Sequence, residues 1–571
     1  MIRANLIPIA ISILMVLSCT QPQSENQQSE RLYGTLGDSA MVASAHSLAS
    51  QVGVDILKQG GNAVDAAVAV HFALVVVFPE AGNIGGGGFA VVRNSDGTVA
   101  SLDFREKAPK KASRDMYLDE NGDVNKERKS IIGRLACGVP GSVDGIFDLH
   151  ERFGSLPMAT LIDPAIKLAS KGHVLTEQAA GNLNRFQKEF AEQNDWDLPT
   201  IKEGGWAKGD TIYYAGLANT LSLIKENGRD GFYKGVVAQQ ILDEVNKGEG
   251  LITLDDLASY DSKWREPIVG DYRGYRVISM PPPSSGGVAL LQLLQGTEPH
   301  NIGEWGHNQP KTMHLMVELE RRVYADRATY LGDPDFYDVP TEMLLDKSYN
   351  SNRFADISLT EKTASSDIKE GQVEIIESVE TTHFSVVDSE GNAVAITTTL
   401  NSFFGNKVMV EGAGFFLNNE MDDFSSKPGV PNQFGLVGAE ANAIEPEKRM
   451  LSTMTPTIID KDGELFMVVG TPGGSTIITS VYQTILNVID HGMTMQEAVN
   501  AKKFHSQWLP DIVLLEETGI DSTVIAEFTE MGHEIRTRRT LGRMDCILVL
   551  PDGRLEGGSD YTRADNTSVG Y

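Results

Sequence analysis

Two β-hairpin patterns in the last third of the chain constrain the fold most. In the first, two stretches rich in Val, Ile, Thr and Phe, Thr381–Asp388 and Ala393–Leu400, flank the turn Ser389–Asn392. Alternation along both stretches predicts neighbouring strands that each have one buried face. The region after Thr381 is therefore expected to be a sheet, whereas residues from about 110 to 370 favour helices and loops.

The register of the first hairpin brings polar residues together. Counting back from a pairing of Asp388 with Ala393 places Thr381 between Thr399 and Asn401, within one residue of slip. These three side chains should therefore lie side by side at one end of the sheet.

The second hairpin extends this polar group. Thr457–Asp460 and Leu465–Gly470 flank the turn Asp462-Gly463, and their register brings Ser452-Thr453 to the same sheet end as Gly473-Gly474. An apolar helical run follows the two glycines, so their backbone N–H groups are placed to bind an anion.

A threonine that begins a strand can carry chemistry if the chain is cut before it. Cleavage between Glu380 and Thr381 would give a residue with both a hydroxyl nucleophile and an α-amine base. His383 lies on the same strand face, but two strand steps (roughly 6–7 Å) separate it from Thr381, which favours packing. The sequence contains no G-x-S-x-G elbow, the motif of a serine nucleophile. It also contains no H-E-x-x-H motif, so neither a metal nor another cofactor is expected.

Charged residues elsewhere offer ways to hold a substrate. Arg105 could clamp a carboxylate in bidentate fashion, and the carboxylates and amides of Asn418–Asp423 could hold an ammonium group. The alternatives are a surface ion pair for Arg105 and a solvated loop or calcium site for the acidic stretch.

The overall charge limits the possible partners. Across 571 residues the net charge is −29, which argues against nucleic acid as a partner. Beyond the first thirty residues only Cys137 and Cys546 occur, and two buried free thiols are expected rather than a disulfide.

The N-terminus predicts export. One arginine, an apolar run over Leu6–Leu17 and then Ser18-Cys19 are typical of a signal peptide over residues 1–18, and Val16–Cys19 resembles a lipobox with Cys19 lipidated. The alternative is an ordinary signal peptide whose removal takes Cys19 with it. Residues 19–31 read as a flexible tether to a bacterial membrane, so a periplasmic or other extracytoplasmic location is expected.

Several long motifs in the same order resemble the γ-glutamyltranspeptidase (glutathione hydrolase) family. They are Asn83–Phe89, Leu102–Glu106, Met280–Gly287, Thr381–Asp388, Leu417–Phe424 and Gly470–Ser475. The resemblance implies an α+β fold, the four-layer αββα sandwich of the N-terminal-nucleophile hydrolases. It also implies self-cleavage between Glu380 and Thr381 into a large subunit (residues 32–380) and a small subunit (381–571) that remain associated.

The resemblance assigns a role to each candidate residue. Thr381 would be the nucleophile, Thr399 would orient it, and Gly473 and Gly474 would form the oxyanion hole. The α-carboxylate of a γ-glutamyl group would bind Arg105, Ser452 and Thr453, and its α-ammonium would bind Asn401, Glu420 and Asp423. The expected activity is cleavage of the γ-glutamyl amide of glutathione and related compounds, with transfer to water or to an amino acid or peptide.

Three positions depart from the family pattern. Thr453 replaces a common serine and keeps the hydroxyl, and Glu420 replaces a glutamine of some relatives and should tighten ammonium binding. In the lid-like segment Pro428–Ala443, Phe434 replaces a tyrosine, so a hydrogen bond that closes the lid should be lost. The alternatives are an acylase of the same fold acting on another dicarboxylic acyl amide, and an inactive lipid-anchored binding protein.

Overall fold

The computed structural model describes residues 31–368, 381–562 and 567–571. Its strands are β1 Thr35–Gly37, β2 Met41–Ala43, β3 Gly87–Arg93, β4 Val99–Asp103, β5 His173–Val174, β6 Thr211–Ile212, β7 Lys263–Arg265, β8 Ile268–Tyr272, β9 Tyr275–Ser279, β10 Thr381–Val387, β11 Ala393–Thr399, β12 Thr457–Lys461, β13 Glu464–Val469, β14 Phe504–His505, β15 Val513–Glu516, β16 Ile535–Arg538, β17 Asp545–Val549, β18 Leu555–Ser559 and β19 Ser568–Gly570.

The α-helices and short 3₁₀ helices connect and cover these strands. The α-helices are α1 Ser47–Lys58, α2 Ala63–Val77, α3 Ser142–Phe153, α4 Met158–Lys171, α5 Glu177–Gln193, α6 Ala215–Asn227, α7 Asp230–Tyr233, α8 Gly235–Asn246, α9 Leu254–Ala258, α10 Gly286–Thr297, α11 Ile302–Trp305, α12 Pro310–Tyr330, α13 Thr341–Leu345, α14 Lys347–Phe354, α15 Ser365–Ile368, α16 Ile477–Ile489, α17 Met495–Asn500 and α18 Ser522–Glu530. The 3₁₀ helices are Arg134–Ala136, Glu420–Asp423, Glu440–Asn442 and Gly474–Thr476.

Two seven-stranded sheets form the centre of the fold. One has the order β19-β2-β10-β11-β3-β4-β7 and the other the order β1-β18-β17-β13-β12-β9-β8. The sheets face each other through contacts such as β10 with β17 and β11 with β13. Helix α2 packs on the outer side of the first sheet, and α10 and α16 pack on the second. These layers form the expected αββα sandwich.

The first hairpin alternates between the two interior layers. Phe384 and Val386 belong to the hydrophobic core shared with α2, whereas Val387 and Ala395 belong to the core on the side of the second sheet. A one-residue slip would exchange these faces, so burial on both sides fixes the register.

The strand registers of both hairpins differ by one residue from those predicted by counting back from the turns. Val387, rather than Asp388, pairs with Ala393, so Thr381 lies directly opposite Thr399. In the second hairpin Lys461 pairs with Glu464 as counted, but a register shift after Ile459 moves the rest of the strand by one residue.

The expectation of only helices and loops between residues 110 and 370 was incomplete. Strands β8 and β9 form a hairpin at the edge of the second sheet. Their turn, Arg273-Gly274, has positive φ at both residues (48° and 82°), as a two-residue hairpin turn requires.

The glycine-rich stretch that leads into β3 is a close-packed passage. A Cβ added at Gly86 would lie 2.1 Å from the carbonyl oxygen of Thr399, and one at Gly88 would lie 2.4 Å from that of Thr397. The glycines therefore let this backbone pass close to β11.

Some predictions lie outside the described residues, namely those for Cys19, the signal peptide and Glu380. Within the described ranges, no helix combines the length and apolar character needed to cross a membrane. Among the same residues, no group of three or more His, Cys, Asp or Glu side chains could hold a metal ion. Cys137 and Cys546 are both buried and free, which confirms that prediction.

Candidate active site

A pocket at the end of the first hairpin collects most of the predicted site residues. The space within it that protein atoms leave free, including solvent at its opening, is about 300 Å³. Its lining includes Arg105, Thr381, Thr399, Asn401, Glu420, Asp423, Phe434, Ser452, Thr453 and Gly474, together with Arg327, Leu436, Met454 and Ile477. Gly473 directly precedes the lining residue Gly474.

Thr381 is the first residue of β10 and is only 6% exposed. Its hydroxyl lies 3.4 Å from the Thr399 hydroxyl, which is long for a hydrogen bond between hydroxyls. Thr399 is itself fixed, because its Oγ1 accepts from the Asn401 backbone N–H (2.8 Å) and its carbonyl accepts from the Asn83 side chain (2.9 Å). Thr399 is therefore placed to orient Thr381.

The His383 ring is held by neighbouring hydroxyl groups. Its Nδ1 lies 2.8 Å from Thr397 Oγ1, and its Nε2 lies 3.1 Å from Ser385 Oγ. These contacts agree with the predicted packing role.

One side of the pocket, here called the charged wall, consists of Arg105, Glu420 and Asp423. The Arg105 Nη1 atom lies 2.9 Å from Glu420 Oε2, and its Nη2 atom lies 2.5 Å from Asp423 Oδ2. The two acids are three residues apart on a 3₁₀ helix, so they lie on the same helix face. The residues expected to bind opposite ends of a zwitterion are therefore in direct contact with each other.

Glu106 adds a third buried acid beside Arg105, so the acidic groups here outnumber this arginine. Glu106 Oε2 lies 3.5 Å from Arg105 Nη1, and burial raises the pKa of Glu106 to about 8 against the attraction of Arg105. Burial also raises the pKa values of Glu420 and Asp423, which Arg105 again opposes. Burial lowers the pKa of Arg105, but attraction by Glu420, Glu106 and Asp423 outweighs it, so the net shift is upward. An added cation would stabilise the ionised acids.

A second part of the pocket lining, here called the hydroxyl wall, consists of Ser452, Thr453 and Gly474, together with the adjacent Gly473. The Thr453 hydroxyl donates to the Gly474 carbonyl oxygen (2.7 Å), and Ser452 Oγ accepts from the backbone N–H of Met454 (3.1 Å). Gly473 and Gly474 have φ values of 153° and 54°, which favour glycine, and they lead into the helical run of α16. The wall combines hydroxyl groups with backbone N–H groups at a helix start.

Phe434 lines the pocket and is 8% exposed. A Cβ added at Gly474 would lie 2.8 Å from the Phe434 ring, so the ring rests on the glycine turn. The Phe434 carbonyl oxygen accepts from the Gln507 side chain at 3.1 Å. Phenylalanine has no hydroxyl, as the sequence indicates, yet this residue is held by packing and by its backbone.

The residues before Phe434 supply further polar contacts to the lid-like segment. The Asn432 side chain donates to Asp423 Oδ1 (3.0 Å), and Gln433 Oε1 accepts from the Ser402 hydroxyl (2.9 Å). The Gln433 backbone N–H donates to Asp422 Oδ2 (3.0 Å), and burial raises the pKa of Asp422 to about 7. The segment is thus bonded to the acidic turn that contributes to the charged wall.

Two charged residues of this region, Glu106 and Arg327, are not among those predicted from the sequence. Glu106 adjoins Arg105 and could have been included from that position alone. Arg327, on α12, is buried and donates from Nε to the Ser285 hydroxyl at 3.0 Å. No sequence signal marks Arg327, because its surroundings show only a helical pattern.

A family model described as gamma-glutamyltranspeptidase matches residues 49–570. The chain belongs to the γ-glutamyltranspeptidase family. The glutathione hydrolase proenzyme of Escherichia coli (strain K12) is 45% identical over 573 residues, which cover 99% of this chain and 98% of that protein. The match therefore extends over nearly the whole sequence and confirms the resemblance.

Solved structures agree with this membership of the γ-glutamyltranspeptidase family. The cephalosporin acylase from Bacillus halodurans has a TM-score of 0.81 at 28% identity, covering 97% of this chain and 99% of its own. The γ-glutamyltranspeptidase of Helicobacter pylori is 44% identical with a TM-score of 0.56, covering 60% of this chain and 97% of its own. Relatives with the same fold thus include an acylase.

Proposed function

We propose that this chain is a γ-glutamyl hydrolase and transferase that cleaves the γ-amide of glutathione and related compounds through Thr381. The observation that carries the proposal is the position of Thr381 at the start of β10, in a pocket that is also lined by residues of the charged wall and of the hydroxyl wall. Family membership supports the same activity.

The proposed maturation step is self-cleavage between Glu380 and Thr381. It would produce a large subunit, residues 32–380, and a small subunit, residues 381–571, and would free the α-amine of Thr381. Before the cut this nitrogen is a peptide amide and cannot act as a base.

The proposed cycle then has two steps. The Thr381 hydroxyl attacks the γ-carbonyl carbon while its own α-amine accepts the proton, and the proton passes to the departing amine. This leaves a γ-glutamyl ester on Thr381. Water, or the amine of an amino acid or peptide, attacks the ester and restores the hydroxyl, so the acceptor decides between hydrolysis and transfer.

Each wall has a proposed part in recognising the glutamyl group. Arg105, together with Ser452 and Thr453, binds the α-carboxylate, and the Gly473-Gly474 N–H groups stabilise the oxyanion. The α-ammonium binds Glu420 and Asp423 of the charged wall, together with Asn401.

The charged wall also favours a γ-glutamyl donor over the acyl group of an acylase. Glu106, Glu420 and Asp423 outnumber Arg105, and an α-ammonium would balance the excess acid. A glutaryl group has the same length but no amine, so it would not balance these acids. Comparing the rates for γ-glutamyl and glutaryl anilides tests this alternative, and a faster glutaryl reaction would favour the acylase.

The principal test is denaturing electrophoresis with N-terminal sequencing of the purified protein. We expect two fragments, the smaller one beginning Thr381-Thr382-His383, and turnover of a γ-glutamyl anilide. Thr381→Ala should abolish both. The matched control is Thr382→Val, because the buried Thr382 hydroxyl has no hydrogen-bond partner among the described residues. An uncut, inert wild-type protein would refute the proposal.

We further propose export through the signal peptide, residues 1–18, and membrane attachment through lipidated Cys19 and the tether of residues 19–31. The lipobox-like sequence supports this. Cys19→Ala should move the protein from the membrane fraction to the soluble fraction. Unchanged attachment would count against lipidation.

A further inference from the structure

The turn Met280–Gly287 holds the backbone of the hydroxyl wall. The Ser452 carbonyl oxygen accepts from both the backbone N–H (2.8 Å) and the hydroxyl (2.6 Å) of Ser285, and the Ser452 N–H donates to the Pro283 carbonyl oxygen (2.9 Å). The Ser284 hydroxyl donates to the Met454 carbonyl oxygen at 2.6 Å. The segment that carries Ser452 and Thr453 is therefore bonded on both sides to this turn.

One face of α12 is hydrogen-bonded to a direct neighbour of each part of the hydroxyl wall. Arg327 donates from Nε to Ser285 Oγ at 3.0 Å, and Tyr324, three residues earlier on the same face, donates from its hydroxyl to the Ser475 carbonyl oxygen at 2.5 Å. Ser475 directly follows the Gly473-Gly474 turn. A single helix thus fixes the carboxylate side of the wall through Ser285 and the oxyanion side through Ser475.

Arg327 also places a positive charge beside the pocket. It lines the pocket, and within the described ranges no ion pair joins its guanidinium to a carboxylate, although Asp423 is near enough to attract it. Arg105, in contrast, is already paired with three acids, Glu106, Glu420 and Asp423. The charge of Arg327 is therefore less fully balanced than that of Arg105 and favours an anion in the pocket.

We infer that Ser285 and Arg327 are positioning residues for the donor's α-carboxylate, and that Tyr324 positions the oxyanion turn. The inference rests on the proposed γ-glutamyl activity. All three residues precede Glu380. The partners of Ser285 and Tyr324, which are Ser452 and Ser475, follow Thr381, so these two contacts join the proposed subunits. A mispositioned binding group loses affinity or rate even where no reacting atom is touched.

Three anilide donors separate this role from a purely structural one. They carry the L-γ-glutamyl group, the 4-aminobutanoyl group, which lacks the α-carboxylate, and the glutaryl group, which lacks the α-ammonium. Ser285→Ala should lower kcat/KM about tenfold for both carboxylate-bearing donors and leave the 4-aminobutanoyl rate unchanged. Competitive inhibition by L-glutamate and by 4-aminobutanoate gives the same comparison where turnover is slow.

Companion variants keep the test decisive. Ser285→Thr retains the hydroxyl and should restore the wild-type ratio, and Arg327→Lys, which loses the Nε donor, should shift the ratio as Ser285→Ala does. Tyr324→Phe should lower kcat for all three donors by one common factor. The control Thr312→Val removes a buried α12 hydroxyl that donates to Gly306 and should change nothing.

The outcomes distinguish the inference from the proposed function. If Ser285→Ala lowers kcat/KM equally for all three donors, or does not lower it, the inference is wrong. The proposed function still stands in that case, provided that the wild-type protein is active. If Ser285→Ala is not processed, Arg327→Lys decides by the same ratio. An inert wild-type protein would instead refute the proposed function itself.

Discussion

The two walls of the pocket are held in place in different ways. The charged wall is held by its own side chains, since Arg105 contacts Glu420 at 2.9 Å and Asp423 at 2.5 Å with almost no solvent exposure of the guanidinium. The hydroxyl wall is held through backbone groups bonded to a neighbouring turn and helix. Charge selection therefore depends on a few buried partners, whereas placement of the hydroxyl groups depends on the surrounding fold.

Breaking the charged wall should have the largest effect. Arg105→Gln leaves Glu420 and Asp423 buried without their cation, a change that costs about 3–5 kcal/mol at comparable sites. We expect kcat/KM for the γ-glutamyl donor to fall at least about 100-fold, with a lower melting temperature. Steady-state kinetics and thermal melting measure both.

A surface arginine provides the control for that experiment. Arg536 contacts Glu534 at 3.2 Å and both side chains are more than half exposed, so Arg536→Gln should stay within about twofold of wild type. Comparable losses in the two variants would show that burial is not what gives the charged wall its importance.

Changes to the hydroxyl wall should be intermediate in size. Thr453→Val removes the donor to the Gly474 carbonyl oxygen and leaves that oxygen buried, so kcat/KM should fall about tenfold. Thr453→Ser keeps the hydroxyl and should remain within about twofold of wild type. If the serine variant were as impaired as the valine variant, the methyl group rather than the hydrogen bond would be the important feature.

The lid-like segment should give the smallest effect. Gln433→Ala removes the contact with Ser402, worth about 1 kcal/mol, while the backbone bond to Asp422 remains. We expect a change of a few-fold in the ratio of hydrolysis to transfer, measured with and without a dipeptide acceptor. Gln51→Ala, which removes an exposed contact with Asp55, is the control and should leave the ratio unchanged. A wild-type ratio in Gln433→Ala would exclude this tether as a determinant of acceptor choice.

The sequence predicts the hairpins better than the side-chain pairing around them. Alternation and turn residues placed Thr381 within one residue of its observed partner Thr399. The register shift between Ile459 and Asp460 has no comparable sequence signature. The predicted pairing of the second hairpin is therefore wrong by one residue on the far side of this shift from the turn. Local patterns determine strand pairing but do not reveal where an extra residue is inserted.

Buried charges were the hardest feature to predict. The sequence suggests Arg105 and the acidic stretch as separate binding groups, but not that they pair with each other in the described structure. Arg327 was missed because a buried arginine and an exposed one look alike on a helix whose other residues are mixed. Such pairings depend on contacts between residues hundreds of positions apart, which no local pattern encodes.

The order of strands in the first sheet determines whether the cleaved protein could readily refold. Strands β10 and β11, which follow the proposed cut, lie between β2 and β3, which precede it. The two proposed subunits therefore share one sheet. Synthesis as a single chain lets this pairing form within one molecule. After the cut, refolding from the denatured state would require two separate polypeptides to meet, and its rate would depend on concentration. The mature form would consequently rely on slow unfolding, rather than on repeated refolding, for its persistence.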